Sequence, residues 1–273
     1  MKVAVLLSTY NGEEYLPEQL DSLLAQTFQE LCICVRDDGS TDKTPEIIER
    51  YKNKYPQKVM YFKDGVRKLG PARSFIKLLS EVQANYYFFC DQDDYWKKDK
   101  VERTLAMFFN IEGNDKSKPV LIHTDAEIVD QNLQNIYPSL WKKMNVHPRR
   151  LDNKWMLPVC CTVTGCTMAI NDAAKQISIP MPEDADMHDN WIAYRVSQNG
   201  IVKPLKYASM LYRQHTSNAV GILGTGQKVR REKIQSAHKT IAEYNKWATF
   251  YSNNGYGSKV KWFFFKLIFF IIR

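Results

Sequence analysis

Two hydrophobic periods alternate over the first 110 residues, and this alternation limits the fold more than any other feature of the sequence. "VAVLLS" (3–8), "LCICV" (31–35), "KVMYF" (58–62) and "YYFFC" (86–90) are short apolar runs of strand type. Between them, 13–26, 41–55, about 71–82 and about 98–110 repeat apolar residues at helical spacing, the second with Pro45 in its first turn. Strand–helix repetition predicts parallel strands joined by right-handed crossovers, hence a Rossmann-like, mostly parallel open α/β sheet flanked by helices. Ligands of such sheets bind outside the carboxyl ends of the strands. "STYNGEE", "RDDGSTD" and the acidic run after "YYFFC" all fall at such ends.

Beyond about residue 118 the pattern loosens. "PVLIHTD" (119–125), "VTGCTMAI" (163–170) and "LKYASMLYRQH" (205–215) read as strands, with a polar, irregular stretch to about 155. "MHDNWIAYRVSQNG" (187–200) reads as a helix ended by Gly200, and a further helix is expected over 227–250.

With 44% hydrophobic and 25% charged residues the composition is that of a globular protein, but the formal net charge of +8 points to an anionic partner. Nucleic acid, an acidic membrane face and a phosphorylated substrate all qualify. No zinc spacing or nucleic-acid motif occurs and much of the basic excess lies near the C-terminal tail, so no nucleic-acid partner is expected. The six cysteines form no C-x-x-C pair and read as small buried hydrophobes in a reducing compartment. The N-terminal apolar run is too short for a signal peptide, which makes a cytoplasmic location the expectation.

"FFCDQDDYW" crowds Asp91, Asp93 and Asp94 at the end of an apolar run. Like charges so placed need a cation, and an oxygen-rich set suits a hard divalent ion, Mn²⁺ or Mg²⁺. The spacing is not that of an EF-hand, and no Walker lysine motif occurs. Helix capping explains one aspartate, not three. At the earlier loops Ser8, Thr9, Tyr10 and Asn11 offer hydroxyl and amide groups, and Asp37 and Asp38 offer acceptors for base or ribose N–H and O–H groups. Ser40, Thr41 and Asp42 would cap the following helix whatever the function.

"VAVLLSTYNGEEYL", "VRDDGSTDKT", "FFCDQDDYW" and "MHDNW", in that order and at those separations, resemble glycosyltransferase family 2 over roughly residues 3–220. "GCTMAI" and "LYRQHTSNAVG" narrow the resemblance to bacterial rhamnosyltransferase-type members, which build cell-surface polysaccharides. The resemblance implies a GT-A fold and a nucleotide-diphospho-sugar donor. It implies donor contacts from Ser8, Thr9, Tyr10, Glu13, Asp38, Arg73, Asp91 and Asp94, with Asp91 and Asp93 as metal ligands and Asp93 the direct one. Asp189 matches the catalytic base, although His188 stands where many relatives have glutamate. Asp189 as a helix N-terminal residue favoured by the dipole is the plainer reading. His215 is a third metal ligand or a surface histidine, and Arg213 a diphosphate contact. His188 and Trp191 are placed at the acceptor, with core packing the other reading of Trp191.

Inverting transfer needs a base on the acceptor hydroxyl, opposite the departing nucleotide, and a cation for the charge on the diphosphate. Residues 1–220 are therefore read as the catalytic domain and 221–273 as a helical, basic and apolar extension. Val260 to Ile272 is apolar except for Lys261 and Lys266, and shorter than the roughly 20 residues that span a bilayer. It suits a helix in the interface with lysines snorkelling to anionic headgroups, aided by "KVRREK" (228–233). Packing on the catalytic domain, or on a second copy in a homodimer, is the alternative. The expected protein is thus a glycosyltransferase peripheral on the inner face of the cell membrane, acting on a glycan or lipid-linked oligosaccharide.

Overall fold

The computed structural model describes residues 2–215 and 233–272, the second stretch with side chains from residue 240 onward. Most of "KVRREK", the start of the helix expected from 227, and Arg273 lie outside the described residues.

Strands β1 (Val3–Thr9), β2 (Leu31–Asp37), β3 (Val59–Phe62) and β4 (Tyr86–Cys90) alternate with helices α1 (Leu16–Leu24), α2 (Thr44–Lys54) and α3 (Gly70–Glu81), as the periodicity predicts. They form the parallel half of the sheet, in the order β3-β2-β1-β4. Every residue of β4 is buried, because helices cover both of its faces, which is why it reads as an unbroken apolar run.

The second half departs from a parallel sheet. β8 (Met168–Asn171) pairs antiparallel with β4 and with β6 (Val120–Val129). β9 (Ile201–Arg213) runs parallel to β6, and β5 (Tyr95–Trp96) closes the edge antiparallel to β9. β7 (Asn135–Tyr137) hangs from β6. The sheet is mixed because β8 is entered from a loop rather than from a crossover helix: Gly165–Thr167 form a 3-10 turn directly before it. The expected strand 163–170 is therefore shorter and later than its apolar run.

Helix α4 (Lys100–Glu112) follows β5, the short helices α5 (Leu140–Lys143) and α6 (Pro148–Leu151) occupy the polar stretch, and α7 (Asp172–Ser178) follows β8. α8 (His188–Asn199) ends at Gly200, where a Cβ would fall 2.0 Å from the Pro119 carbonyl oxygen, so only glycine lets β9 start beside β6.

α9 (Lys233–Tyr251) and α10 (Lys259–Ile272) are joined by a tight turn that breaks helical geometry at Asn254 and Gly255. α10 packs one face on the body. Trp262 is buried and donates Nε1–H to the Pro158 carbonyl at 2.9 Å, and Phe265 stacks on Trp155 at 5.6 Å. Lys266 Nζ donates to the Val159 carbonyl at 2.8 Å, and Lys261 Nζ to that of Tyr256 at 2.9 Å. The expectation that these two lysines reach outward is corrected: both ammonium groups are spent on carbonyls of the protein itself.

Candidate active site

The loops after β1 and β2 are built as one brace. Asn11, Gly12 and Glu13 donate backbone N–H to Ser40 Oγ, Thr44 Oγ1 and Asp42 Oδ2 at 2.8, 2.8 and 3.0 Å. In return Thr41 N–H reaches Asn11 Oδ1 and Lys43 N–H reaches Glu13 Oε2, each at 2.9 Å. The start of α2 is thus held by Glu13 from the neighbouring loop and by Asp42, while the Ser40 hydroxyl turns to Asp37. One oxygen of Glu13, an expected donor contact, is occupied by this brace.

The paired aspartates divide the work. Asp37 accepts from Thr9 Oγ1 at 3.0 Å and from the N–H groups of Gly39 and Ser40, which shapes the turn. Asp38, buried, accepts from the N–H groups of Leu69 and Gly70 at 3.0 and 2.8 Å and from Arg36 Nη1 at 2.9 Å. Arg36 is only 1% exposed and also binds Asp64, Ser74 Oγ and the Val66 carbonyl. Sequence reading missed Arg36, although a cation in an apolar strand ahead of two carboxylates was the signal. Ser8 and Tyr10 stand at the same sheet end, with Tyr10 half exposed.

Gln92, between the aspartates, pairs its carboxamide with the Tyr10 backbone, Oε1 accepting at 2.9 Å and Nε2 donating at 3.0 Å. A Cβ on Gly12 would lie 2.3 Å from Gln92 Oε1, so glycine is required for this close approach. The acidic loop is in this way locked to the loop after β1.

The acidic cluster itself differs in membership from the expected set. The Asp91 and Asp94 carboxylates and the Cys166 thiol offer atoms within 4.8 Å of one another, while Asp93 Oδ2 pairs with His215 Nε2 at 2.9 Å. Asp94 is wholly buried; its Oδ1 accepts from Arg213 N–H at 3.1 Å, and its Oδ2 has no hydrogen-bond partner among the described residues. Burial pushes Asp94 well above the usual carboxylate range, and Asp93 and Asp91 add to the shift. Asp91 is pushed up to about 7, first by burial, then by Asp93 and Asp189. An orphaned carboxylate oxygen among three like charges has the character of a divalent-cation site, since it lacks the positive charge that would make such crowding stable. The Cys166 thiol is itself pushed up by burial and by Asp94, so it stays protonated and acts as a donor beside Asp91. Beneath the cluster Lys100 is buried, donating Nζ–H to the Cys166 carbonyl at 2.8 Å with the Trp96 ring 3.8 Å away. Burial pulls Lys100 down to about 8, against the pull of the surrounding acids.

Two arginines expected at the donor are committed to protein groups. Arg213 donates to the carbonyls of Asp93 and Gln131 at 2.7 and 2.5 Å, pairs with Glu18 and lies over the Tyr15 ring. It clamps the acidic loop from behind. Arg73 donates to the carbonyls of Met181, Pro182 and Glu183 at 3.2, 2.8 and 2.6 Å and so holds the segment that leads into α8.

That segment delivers Asp189 to the first turn of α8, where the helix dipole favours a carboxylate. Asp189 Oδ2 accepts from Gly165 N–H at 3.1 Å and Oδ1 from Asn190 N–H at 2.7 Å. Gly165, which binds it, directly precedes Cys166 of the acidic cluster, so the structure brings the candidate base and the cluster to one place.

The residues expected at the acceptor are core groups instead. His188 is 3% exposed, packed 4.4 Å from Phe75 and 5.5 Å from Phe89, with neither ring nitrogen bonded among the described residues and its pKa pulled down by burial. Trp191 is 5% exposed and donates Nε1–H to the Ser178 carbonyl at 2.7 Å. Helical amphipathicity hides both rings: they point from α8 into the body, toward α3 and α7.

Comparison with known proteins agrees with this architecture. The dTDP-rhamnosyl transferase RfbG of Shigella flexneri is 29% identical over 228 residues, covering 79% of this chain and 73% of that protein. The poly(ribitol-phosphate) beta-N-acetylglucosaminyltransferase TarS of Staphylococcus aureus is 36% identical over 108 residues, 39% of this chain and 18% of that protein. Among solved structures, S. aureus TarS 1–349 in complex with UDP-GlcNAc superposes with a TM-score of 0.58 at 21% identity, covering 95% of this chain and 74% of that one. The mannosyltransferase PcManGT of Pyrobaculum calidifontis, in complex with GDP-Man and Mn²⁺, gives 0.57 at 16% identity, covering 79% of this chain and 58% of that one. At such identities these structures speak for the fold alone, a GT-A architecture. Residues 4–177, well over half of the chain, match the family model of Glycosyl transferase family 2, and the chain belongs to that family.

Proposed function

We propose that the chain is an inverting, metal-dependent glycosyltransferase acting on a growing, lipid-linked cell-surface glycan. The observation that carries this reading is the convergence of Asp189, held by two backbone N–H groups, on the acidic cluster of Asp91, Asp93 and Asp94. A base and a cation site facing one cleft are what transfer with inversion requires. Asp189 takes the proton of the acceptor hydroxyl as its oxygen bonds to the anomeric carbon, and the bond to the nucleotide diphosphate breaks on the opposite face. Asp91, Asp93 and Asp94, with His215 beside Asp93, would hold Mn²⁺ or Mg²⁺, which offsets the charge on the departing diphosphate. Ser8, Thr9, Tyr10, Glu13 and Asp38 line the strand ends where base and ribose would bind, and Arg73 and Arg213 fix the loops around the donor.

The leading donor is dTDP-rhamnose, supported by the similarity to RfbG. A UDP-hexose or UDP-N-acetylhexosamine is the second reading, supported by the similarity to TarS. A lipid-linked acceptor gives α10 a purpose. Val260, Phe264, Leu267 and Ile271 form an exposed apolar stripe along it. On this reading the exposed stripe of α10 lies in the interface of the cytoplasmic leaflet.

Asp189→Asn tests the base: kcat falls about 10²- to 10⁴-fold while nucleotide affinity is kept. Equal turnover by wild type and variant, across a panel of nucleotide-sugars with Mn²⁺ or Mg²⁺, would sink it.

A further inference from the structure

A cleft of about 130 Å³ opens between α9, α10, the 157–161 loop and the start of α8. Asn190, the residue after the candidate base, forms one end of it, and the Trp247 and Tyr244 rings of α9 line the wall with Trp262 of α10. Asn190 N–H also donates to Asp189 Oδ1 at 2.7 Å, which sets the cleft beside the candidate base.

The walls are fixed from several sides. Trp247 stacks on Tyr251 at 6.2 Å, and Tyr244 meets Trp262 at 5.9 Å. Trp262 is bonded to Pro158, Tyr194 Oη to the Asn254 carbonyl at 2.7 Å, and Lys246 to Asp186 at 2.6 Å. This last pair ties α9 to the segment that delivers Asp189. The polar ends are not used by the protein: the Asn190 carboxamide, the Tyr244 hydroxyl and the Trp247 indole N–H have no hydrogen-bond partner among the described residues.

We infer that this cleft is a subsite for a hexose ring of the acceptor, with the ring's C–H face on Trp247 and its hydroxyls on Asn190, Tyr244 and the Trp247 N–H. Flat aromatic faces beside spare donors and acceptors match a pyranose, which is apolar on its faces and polar at its rim. The inference rests on the glycosyl-transfer reading above. It makes the C-terminal helices part of the acceptor site rather than an anchor alone.

The test uses the full chain and n-octyl hexosides of gluco, galacto, manno, rhamno and N-acetylglucosamine configuration, with n-octanol as the alkyl control. Ligand-observed NMR should show sugar-ring contact for at least one hexoside and none for octanol. Trp247→Ala and Asn190→Ala should each weaken that binding about tenfold or more, and Trp247→Phe should recover most of it. Affinity for the nucleotide diphosphate, measured on the same samples, reports that the variants are folded. No hexoside binding by wild type, binding unchanged in both alanine variants, or equal binding of octanol would overturn the inference. Hexoside binding without turnover of any nucleotide-sugar would sink the transfer reading and leave the sugar subsite standing.

Discussion

The carboxyl group of Asp91 is raised from 3.8 to about 7, by burial first and by Asp93 and Asp189 after it. The folded chain therefore holds a proton there that the unfolded chain releases. Between about pH 4 and 7 the native state binds more protons, so stability falls as pH rises through that window, and the penalty is complete above it. A divalent cation removes the penalty by supplying the missing charge. In chelator the protein should melt at a lower temperature near pH 8 than near pH 5.5, and Asp91→Asn should narrow that gap. Mn²⁺ should raise the melting temperature of wild type more near pH 8 than near pH 5.5. A gap unchanged in Asp91→Asn would refute the assignment. Asp91, Asp93 and Asp94 were legible because three like charges in four residues need an external reason. Cys166 and Lys100 were not, since nothing local marks a cysteine or a lysine that the fold carries beneath a distant acidic loop.

α10 shows how much an element's sequence leaves open. Its apolar run with two lysines fits a membrane interface and a packed helix equally well, and the structure gives it one face of each kind. Trp262 and Phe269 are buried against the body, while Val260, Leu267 and Ile271 are 78, 60 and 74% exposed. Deleting the tail is thus no clean test of membrane binding, because it also strips Trp155 of Phe265 and removes a wall of the cleft beside Asn190. Single substitutions separate the faces. Leu267→Asp should leave stability within about 0.5 kcal/mol, as expected of a surface change, yet abolish binding to zwitterionic liposomes. Trp262→Ala should cost about 3–5 kcal/mol of unfolding free energy through the cavity it leaves. Similar losses of stability from both would mean that the outer face is covered by protein.

Over the whole molecule, legibility follows contact range. β1 to β4 and their helices were readable because each crossover joins neighbours in sequence. β8 and β9 were readable as strands but not their places in the sheet, and β5 was not readable at all, since these depend on partners far along the chain, such as Tyr86 opposite Asn171 and Tyr95 opposite Leu211. The charge of the molecule needs the same non-local view. The net charge is +8, but Lys261 and Lys266 are turned inward onto carbonyl groups, so in the proposed membrane contact the electrostatic part has to come from other cations. The apolar stripe and the charge then act as separable contributions with different salt dependence. Raising ionic strength from about 0.1 to 1 M shortens the screening length from about 10 to 3 Å and weakens only the second. Binding to vesicles rich in anionic lipid should exceed binding to zwitterionic vesicles at low salt, and high salt should reduce it to the zwitterionic level. Leu267→Asp should abolish the remainder. Salt-indifferent binding would remove the net charge from the account, and no binding to either vesicle would leave α10 as a packing helix alone.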